Sequence, residues 1–135
     1  MIMKAILKFE IVALLILIYS DLMAQQKQLT RKDLLNAIVN QKVSVVEIKE
    51  VNMTGGQEAP KHLHPCPVVG YIVSGRVLFQ IEGQESKILK EGDAFYEPKN
   101  KTILHFDNAS KDKPLIFVAF YLKEQNEENI KVLKN

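Results

Sequence analysis

Residues Gly56–Gly75 read GQEAPKHLHPCPVVGYIVSG, and this stretch carries His62 and His64, two of the three histidines of the chain, together with Cys66, its one cysteine. The third histidine, His105, lies in a second patterned stretch, Gly92–Asn108, GDAFYEPKNKTILHFDN. Residues two apart on an extended segment project to the same side, so His62 and His64 can address one ion or one ligand from adjacent pleats. Pro60, Pro65 and Pro67 remove backbone donors, which predicts an extended connector up to about Val68 rather than a central strand.

Outward from these stretches the hydrophobic period is two. Val43 to Met53 reads as a strand that Gly55-Gly56 ends, and Gly70–Ser74 and Arg76–Ile81 read as two strands meeting at a tight turn at Ser74-Gly75. Ala94–Glu97 and Lys101–Asp107 flank a Pro98-Lys99-Asn100 turn, where asparagine tolerates positive φ nearly as well as glycine. Leu115–Leu122 is the most apolar run, and Ile130–Leu133 is a candidate last edge strand. Short strands at regular spacing predict an antiparallel sandwich or barrel. Before them, Thr30 resembles a helix cap with Asp33 at the third helical position, and Leu34, Leu35, Ile38 and Val39 recur at helical spacing. A two-turn helix and an extended arm pairing with another subunit both fit residues 25–42.

The spacings Gly56, His62, His64, Gly75 and Gly92, Pro98 resemble the two signature motifs of the cupin superfamily, G-x5-H-x-H-x3-4-E-x6-G and G-x5-P-x-G-x2-H-x3-N. HPCPVVGYIVSG, GDAFYEP and NAS resemble more closely the small, exported, single-domain cupins of bacteria. The resemblance implies an all-β, double-stranded β-helix (jelly-roll) barrel over 43–135. It also implies a metal ion held by both histidines of the first motif, its glutamate and the histidine of the second. Two positions depart from the pattern: Val68 stands where the glutamate belongs and Ile103 where the last histidine belongs. Because strand side chains alternate, Ile103 and His105 are expected to face the same way, so a bulge or longer turn would bring His105 to the ion. The expected ligands are therefore His62, His64 and His105. If the strand keeps register instead, Ile103 occupies the ligand place.

Three imidazoles suit zinc, iron, copper, nickel or manganese, and affinity order alone does not choose among them. A metal-free pocket whose histidines meet an organic ligand directly is the other reading. Candidate pocket walls are Val68, Tyr71, Val73, Phe79, Phe95, Ile103 and Phe120, with Gln80, Tyr96 and Glu97 as polar candidates, although core packing is the commoner use of such aromatics. With the motif glutamate absent, no residue stands out as a general base. A dioxygenase-like or isomerase-like enzyme and a non-catalytic binding or sensory module both remain open.

Composition narrows the partners. The 135 residues suffice for one domain, and 47% apolar with 25% charged residues is ordinary for a globular chain. A net charge of +2 with scattered lysines gives no nucleic-acid stripe, so a small molecule or metal is the expected partner. Lys4 and Lys8, the apolar run Ile11–Tyr19 and the small residue Ala24 form a secretory signal pattern over 1–24. It predicts an exported, periplasmic or secreted protein with no membrane attachment after cleavage. A single cysteine cannot close an internal disulfide; Cys66 is either a structural thiol or, two residues from His64, an oxidisable one. Small barrels of this kind pair through N-terminal arms, and a homodimer is expected.

Overall fold

The computed structural model describes residues 29–134. The chain divides into two units, Met1–Lys32 and Asp33–Asn135, and every strand belongs to the second. The signal pattern over 1–24 lies outside the described residues.

Nine strands and no helix occur among the described residues: β1 (Val45–Met53), β2 (His62–Leu63), β3 (Val68–Ser74), β4 (Arg76–Ile81), β5 (Lys87–Lys90), β6 (Ala94–Glu97), β7 (Ile103–Asn108), β8 (Leu115–Lys123) and β9 (Lys131–Val132). They form two antiparallel sheets, in the orders β1-β8-β3-β6 and β5-β4-β7-β2-β9. The helical option for the arm is not adopted, since residues 33–44 carry no regular structure. Two hydrogen bonds tie it to the first sheet. The Ile38 carbonyl accepts a hydrogen bond from the Tyr96 hydroxyl, and the Gln41 side chain donates to the Leu122 carbonyl at 2.9 Å.

The Ser74-Gly75 turn joins two sheets rather than the arms of a hairpin, because β3 pairs with β6 and β8 while β4 pairs with β5 and β7. Gly75 makes that corner at φ 90, where a Cβ would lie 2.6 Å from the Pro114 carbonyl oxygen. Both constraints exclude an ordinary side chain.

Period-two alternation fills the space between the sheets. Phe95 and Phe117 enter from the first sheet, Phe79 and Phe106 from the second, with ring centroids 4.7 to 6.1 Å apart. Each buried phenyl contributes about 1.5–3 kcal/mol of burial energy, so this cluster is a main tie between the sheets. Asn108 fastens the loops at one end by donating to the carbonyls of Thr54 and Lys113.

One irregularity decides what faces inward near the histidines. Along β4 and β7, Gln80 pairs with His105 but Ile81 pairs with Ile103, so Leu104 is an extra residue, a β-bulge. The insertion lets Ile103 and Phe106, three apart in sequence, both reach the core. It turns His105 away.

Candidate metal and ligand site

β2 is only two residues long, yet it places the first histidine. His62 pairs with Ile103 on one side and Val132 on the other, and is buried between them. Its Nδ1 donates to the Pro60 carbonyl at 2.8 Å, which fixes the proton on Nδ1 and leaves Nε2 with its lone pair. Burial pushes the His62 pKa down, so it is the neutral imidazole that occupies this place.

His64 lies just beyond β2, at the Pro65-Cys66-Pro67 connector, and is equally buried. Its carbonyl accepts from the Asn100 amide at 2.8 Å, and Asn100 adopts the expected positive φ of 58. The two sequence stretches are thereby joined at this point. His64 Nδ1 donates to the Asn129 carbonyl of the C-terminal segment at 2.5 Å, and Nε2 lies 3.0 Å from Glu97 Oε2. Acceptors beside both ring nitrogens favour the doubly protonated form of His64. Burial alone would push its pKa down, but the hydrogen bond to Glu97 and that carboxylate's charge outweigh it and raise the pKa.

Glu97 closes β6, and its partner across the strand pair is Val68. Opposed side chains on one face of a sheet stand within roughly 5.5 Å of each other. The carboxylate missing at position 68 is therefore present one strand over, aimed at the same histidines. Glu97 is 3% exposed, and its Oε1 has no hydrogen-bond partner among the described residues. Burying a carboxylate costs several kcal/mol, and an orphaned oxygen adds to that cost unless a cation or ligand meets it.

His62, His64 and Glu97 have ligand atoms all within 4.8 Å of one another and could hold a metal ion. Three features fit that role. Both imidazoles donate Nδ1 to a backbone carbonyl, the outer-shell arrangement that orients Nε2 toward a metal. The carboxylate has an unused buried oxygen. Two imidazole nitrogens and one carboxylate oxygen are a donor set used for catalytic zinc and for non-haem iron(II).

His105 is not part of this cluster. Its side chain is 47% exposed, and Nδ1 lies 2.6 Å from Asp107 Oδ2 on the outer face of β7. In the group that could hold an ion, the Glu97 carboxylate stands where a third imidazole was expected. The reasoning that Ile103 and His105 share a face fails because the Leu104 bulge breaks the alternation between them.

A cavity of about 270 Å³ opens beside the three residues. Its walls are Val51, Met53, Phe106, Phe117, Ala119 and Tyr121, and its exposed margin includes Gln57, Glu58, Pro60 and Ile130. Of the seven residues expected as walls, Val68, Phe79, Phe95 and Ile103 pack in the core, outside the cavity lining. Tyr71, Val73 and Phe120 lie on the outer face of the first sheet, because β3 and β8 turn Val68, Gly70, Ile72 and Phe117, Ala119, Tyr121 inward. Sequence alternation could have found Phe117 and Tyr121 once the inward parity of Leu115–Leu122 was known. Tyr121 packs with its ring centroid 5.7 Å from that of His64, and burial pushes its hydroxyl pKa up to about 12. Cys66 is wholly buried and burial raises its thiol pKa, which disfavours the thiolate that oxidation needs. The redox reading of Cys66 is not supported by that environment.

The fold is an antiparallel jelly-roll in which two histidines and a carboxylate that could hold a metal ion converge beside a cavity. The chain belongs to the cupin family: the family model described as Cupin domain matches residues 49–121. Similar solved structures include a cupin-like protein from Thermotoga maritima, with 23% identity, 65% of this chain and 64% of that one covered, and a TM-score of 0.56. A Klebsiella pneumoniae protein with a double-stranded β-helix domain has 19% identity, 72% and 82% coverage, and a TM-score of 0.57. The DMSP lyase DddQ from Ruegeria pomeroyi has 22% identity and a TM-score of 0.56, over 64% of this chain and 42% of that one. At these identities the likeness is one of fold, and the match spans less than half of the lyase. No curated protein matches the chain.

Proposed function

We propose that this chain is an exported single-domain cupin that binds a divalent metal through His62, His64 and Glu97 and takes a small organic ligand into the adjoining cavity. The observation that carries the reading is the buried Glu97 carboxylate with an unpartnered oxygen, facing two imidazoles whose Nδ1 atoms are tied to backbone carbonyls. His62 and His64 would bind through Nε2 and Glu97 through its carboxylate. A bound divalent ion would supply Lewis acidity, and iron would add redox chemistry. The protein's own part is to orient the two rings, exclude water with Phe106, Phe117 and Tyr121, and balance part of the ion's charge. Export rests on the signal pattern over 1–24.

A second reading is a metal-free pocket. It is favoured by the 3.0 Å His64–Glu97 contact, which already forms a buried acid–base pair able to hold or move a proton at Nε2. In that reading the module is a ligand binder or an isomerase-like enzyme; in the metal reading, dioxygenase-like activity is open to it. Metal analysis of protein purified without a histidine tag separates them. Stoichiometric zinc, iron or manganese that is lost in the His62→Ala and Glu97→Ala variants supports the metal site, whereas metal that persists in both variants, or none in the parent after reconstitution, sinks it.

We extend the proposal to a homodimer. Nine-residue β1 is an edge of its sheet, Val46 and Ile48 on it are 53% and 58% exposed, and Ile38 of the arm is 86% exposed. An open apolar edge and an uncovered arm on the same molecule suit isologous pairing with a second copy.

A further inference from the structure

Residues 124–133 fasten the two histidines from outside, although they have no core anchor of their own. His64 Nδ1 donates to the Asn129 carbonyl, His62 and Leu63 on β2 pair with Val132 and Lys131 on β9, and the Leu133 amide donates to the Lys61 carbonyl at 2.9 Å. Ile130, between these contacts, stands at the cavity margin. Yet no residue from 124 to 134 is buried, and none belongs to the core cluster. Segments with few buried apolar contacts open at a free energy well below that of global unfolding.

Polar links hold the segment instead. Glu127 Oε1 accepts from Lys99 Nζ at 2.6 Å, and Glu127 Oε2 accepts from Gln41 Nε2 at 2.9 Å. Lys99 also donates to Gln41 Oε1 at 2.7 Å, so the three side chains close one latch between the arm, the turn after β6 and the C-terminal segment. Asn129 Nδ2 donates to Glu47 Oε1 at 2.9 Å, while Asn129 Oδ1 is buried with no hydrogen-bond partner among the described residues. An orphaned amide oxygen works against the docked position, and a partly exposed ion pair such as Lys99–Glu127 contributes little. The segment that sets the His64 ring is therefore only weakly held.

We infer that residues 124–133 are a releasable strap that positions His64 and is latched by Lys99 and Glu127, so that docking of the strap and occupancy of the site favour each other. Release removes the acceptor from His64 Nδ1 and the outer partner of β2, the contacts that hold the two histidines from that side. An ion that needs both rings in place binds the docked state better, and the coupling is reciprocal. This link to occupancy rests on the metal site of the proposed function, whereas the strap itself does not. Lys99 and Glu127 are not among the cavity-lining residues and act as positioning residues only.

Amide hydrogen exchange on the full chain, with zinc as the probe, tests both parts. In EDTA the Leu133 amide should exchange at least about 100-fold faster than the Ile72 amide, which donates to the Asp93 carbonyl. Lys99→Ala should speed Leu133 about threefold further and Lys99→Arg should restore it, as expected for one partly exposed ion pair. Saturating zinc should slow Leu133 by about tenfold or more, the usual loss in metal affinity when an outer partner of a ligating histidine is removed. Leu133 exchanging as slowly as Ile72, or unmoved by Lys99→Ala, overturns the strap. Stoichiometric zinc that leaves Leu133 exchange unchanged overturns its coupling to the site. Zinc that does not bind removes the metal reading instead, and the strap then stands or falls on the first two comparisons and on the His64 Nδ1 proton, whose exchange with water should quicken in step with Leu133 in Lys99→Ala.

Discussion

Replacing Glu97 by glutamine tests the site with a change of charge at nearly constant shape. Glu97 is 3% exposed and its Oε2 lies 3.0 Å from His64 Nε2. At that distance an effective dielectric of about 20 gives a gross attraction of roughly 5–6 kcal/mol between unit charges, most of which the desolvation of both groups offsets. The amide can still form a neutral hydrogen bond with the ring. The net loss in metal-free stability is therefore the difference between a charge-assisted and a neutral bond, about 1–2 kcal/mol, read from urea unfolding in EDTA. Metal binding should suffer more. Outer-shell changes already cost roughly 10–100-fold, and removing an anionic ligand should reach at least the upper end of that range, about 2.7 kcal/mol or more. Competition with a chromophoric chelator for zinc measures it. His105→Ala is the matched control, since its ring bonds Asp107 on the outer face and should leave zinc affinity within about threefold of the parent. Glu97→Gln binding zinc as tightly as the parent, or His105→Ala losing tenfold, would refute the assignment.

The raised pKa of His64 makes metal affinity pH-dependent, because the ion must displace the proton on Nε2. Zinc affinity should rise as pH climbs through that value, which lies above the ordinary 6.5. Metal-free stability should run the other way: the folded pKa exceeds the unfolded one, so the contribution of His64 is full below pH 6.5 and is lost as pH rises through the folded value. Parallel titrations at pH 6 to 9, with and without EDTA, check both signs, and like signs would contradict the pairing with Glu97. Gly70→Ala should destabilise by about 1–3 kcal/mol in urea, since its Cβ would lie 2.1 Å from the ring of Phe95, itself held among three other phenyl rings; an unchanged midpoint would mean the cluster yields easily. Light scattering should give a dimer for a chain starting at Gln25 and a monomer or aggregate for one starting at Val43, and an unchanged dimer would place the interface elsewhere.

The sequence by itself determined the barrel and two of the three clustered site residues. Period-two alternation interrupted by turn residues marks short half-buried strands, the pattern of an antiparallel sandwich or barrel, and Asn100 announced its positive φ by replacing a glycine in a known turn. His62 and His64 were legible because their spacing and their shared burial are local properties of one extended segment. The third member, Glu97, was legible only as a polar pocket candidate and not as the partner of the two histidines. His105 was excluded by Leu104, an extra residue visible only in the pairing of β7 with β4, since a bulge belongs to two strands and not to one. Glu97 replaced it through the Val68–Glu97 register, a relation between β3 and β6 that sequence separation hides. The pocket walls failed for the same reason: alternation divides a strand into two faces, but only the packing of the two sheets decides that Tyr71 and Phe120 face outward while Phe117 and Tyr121 face the cavity.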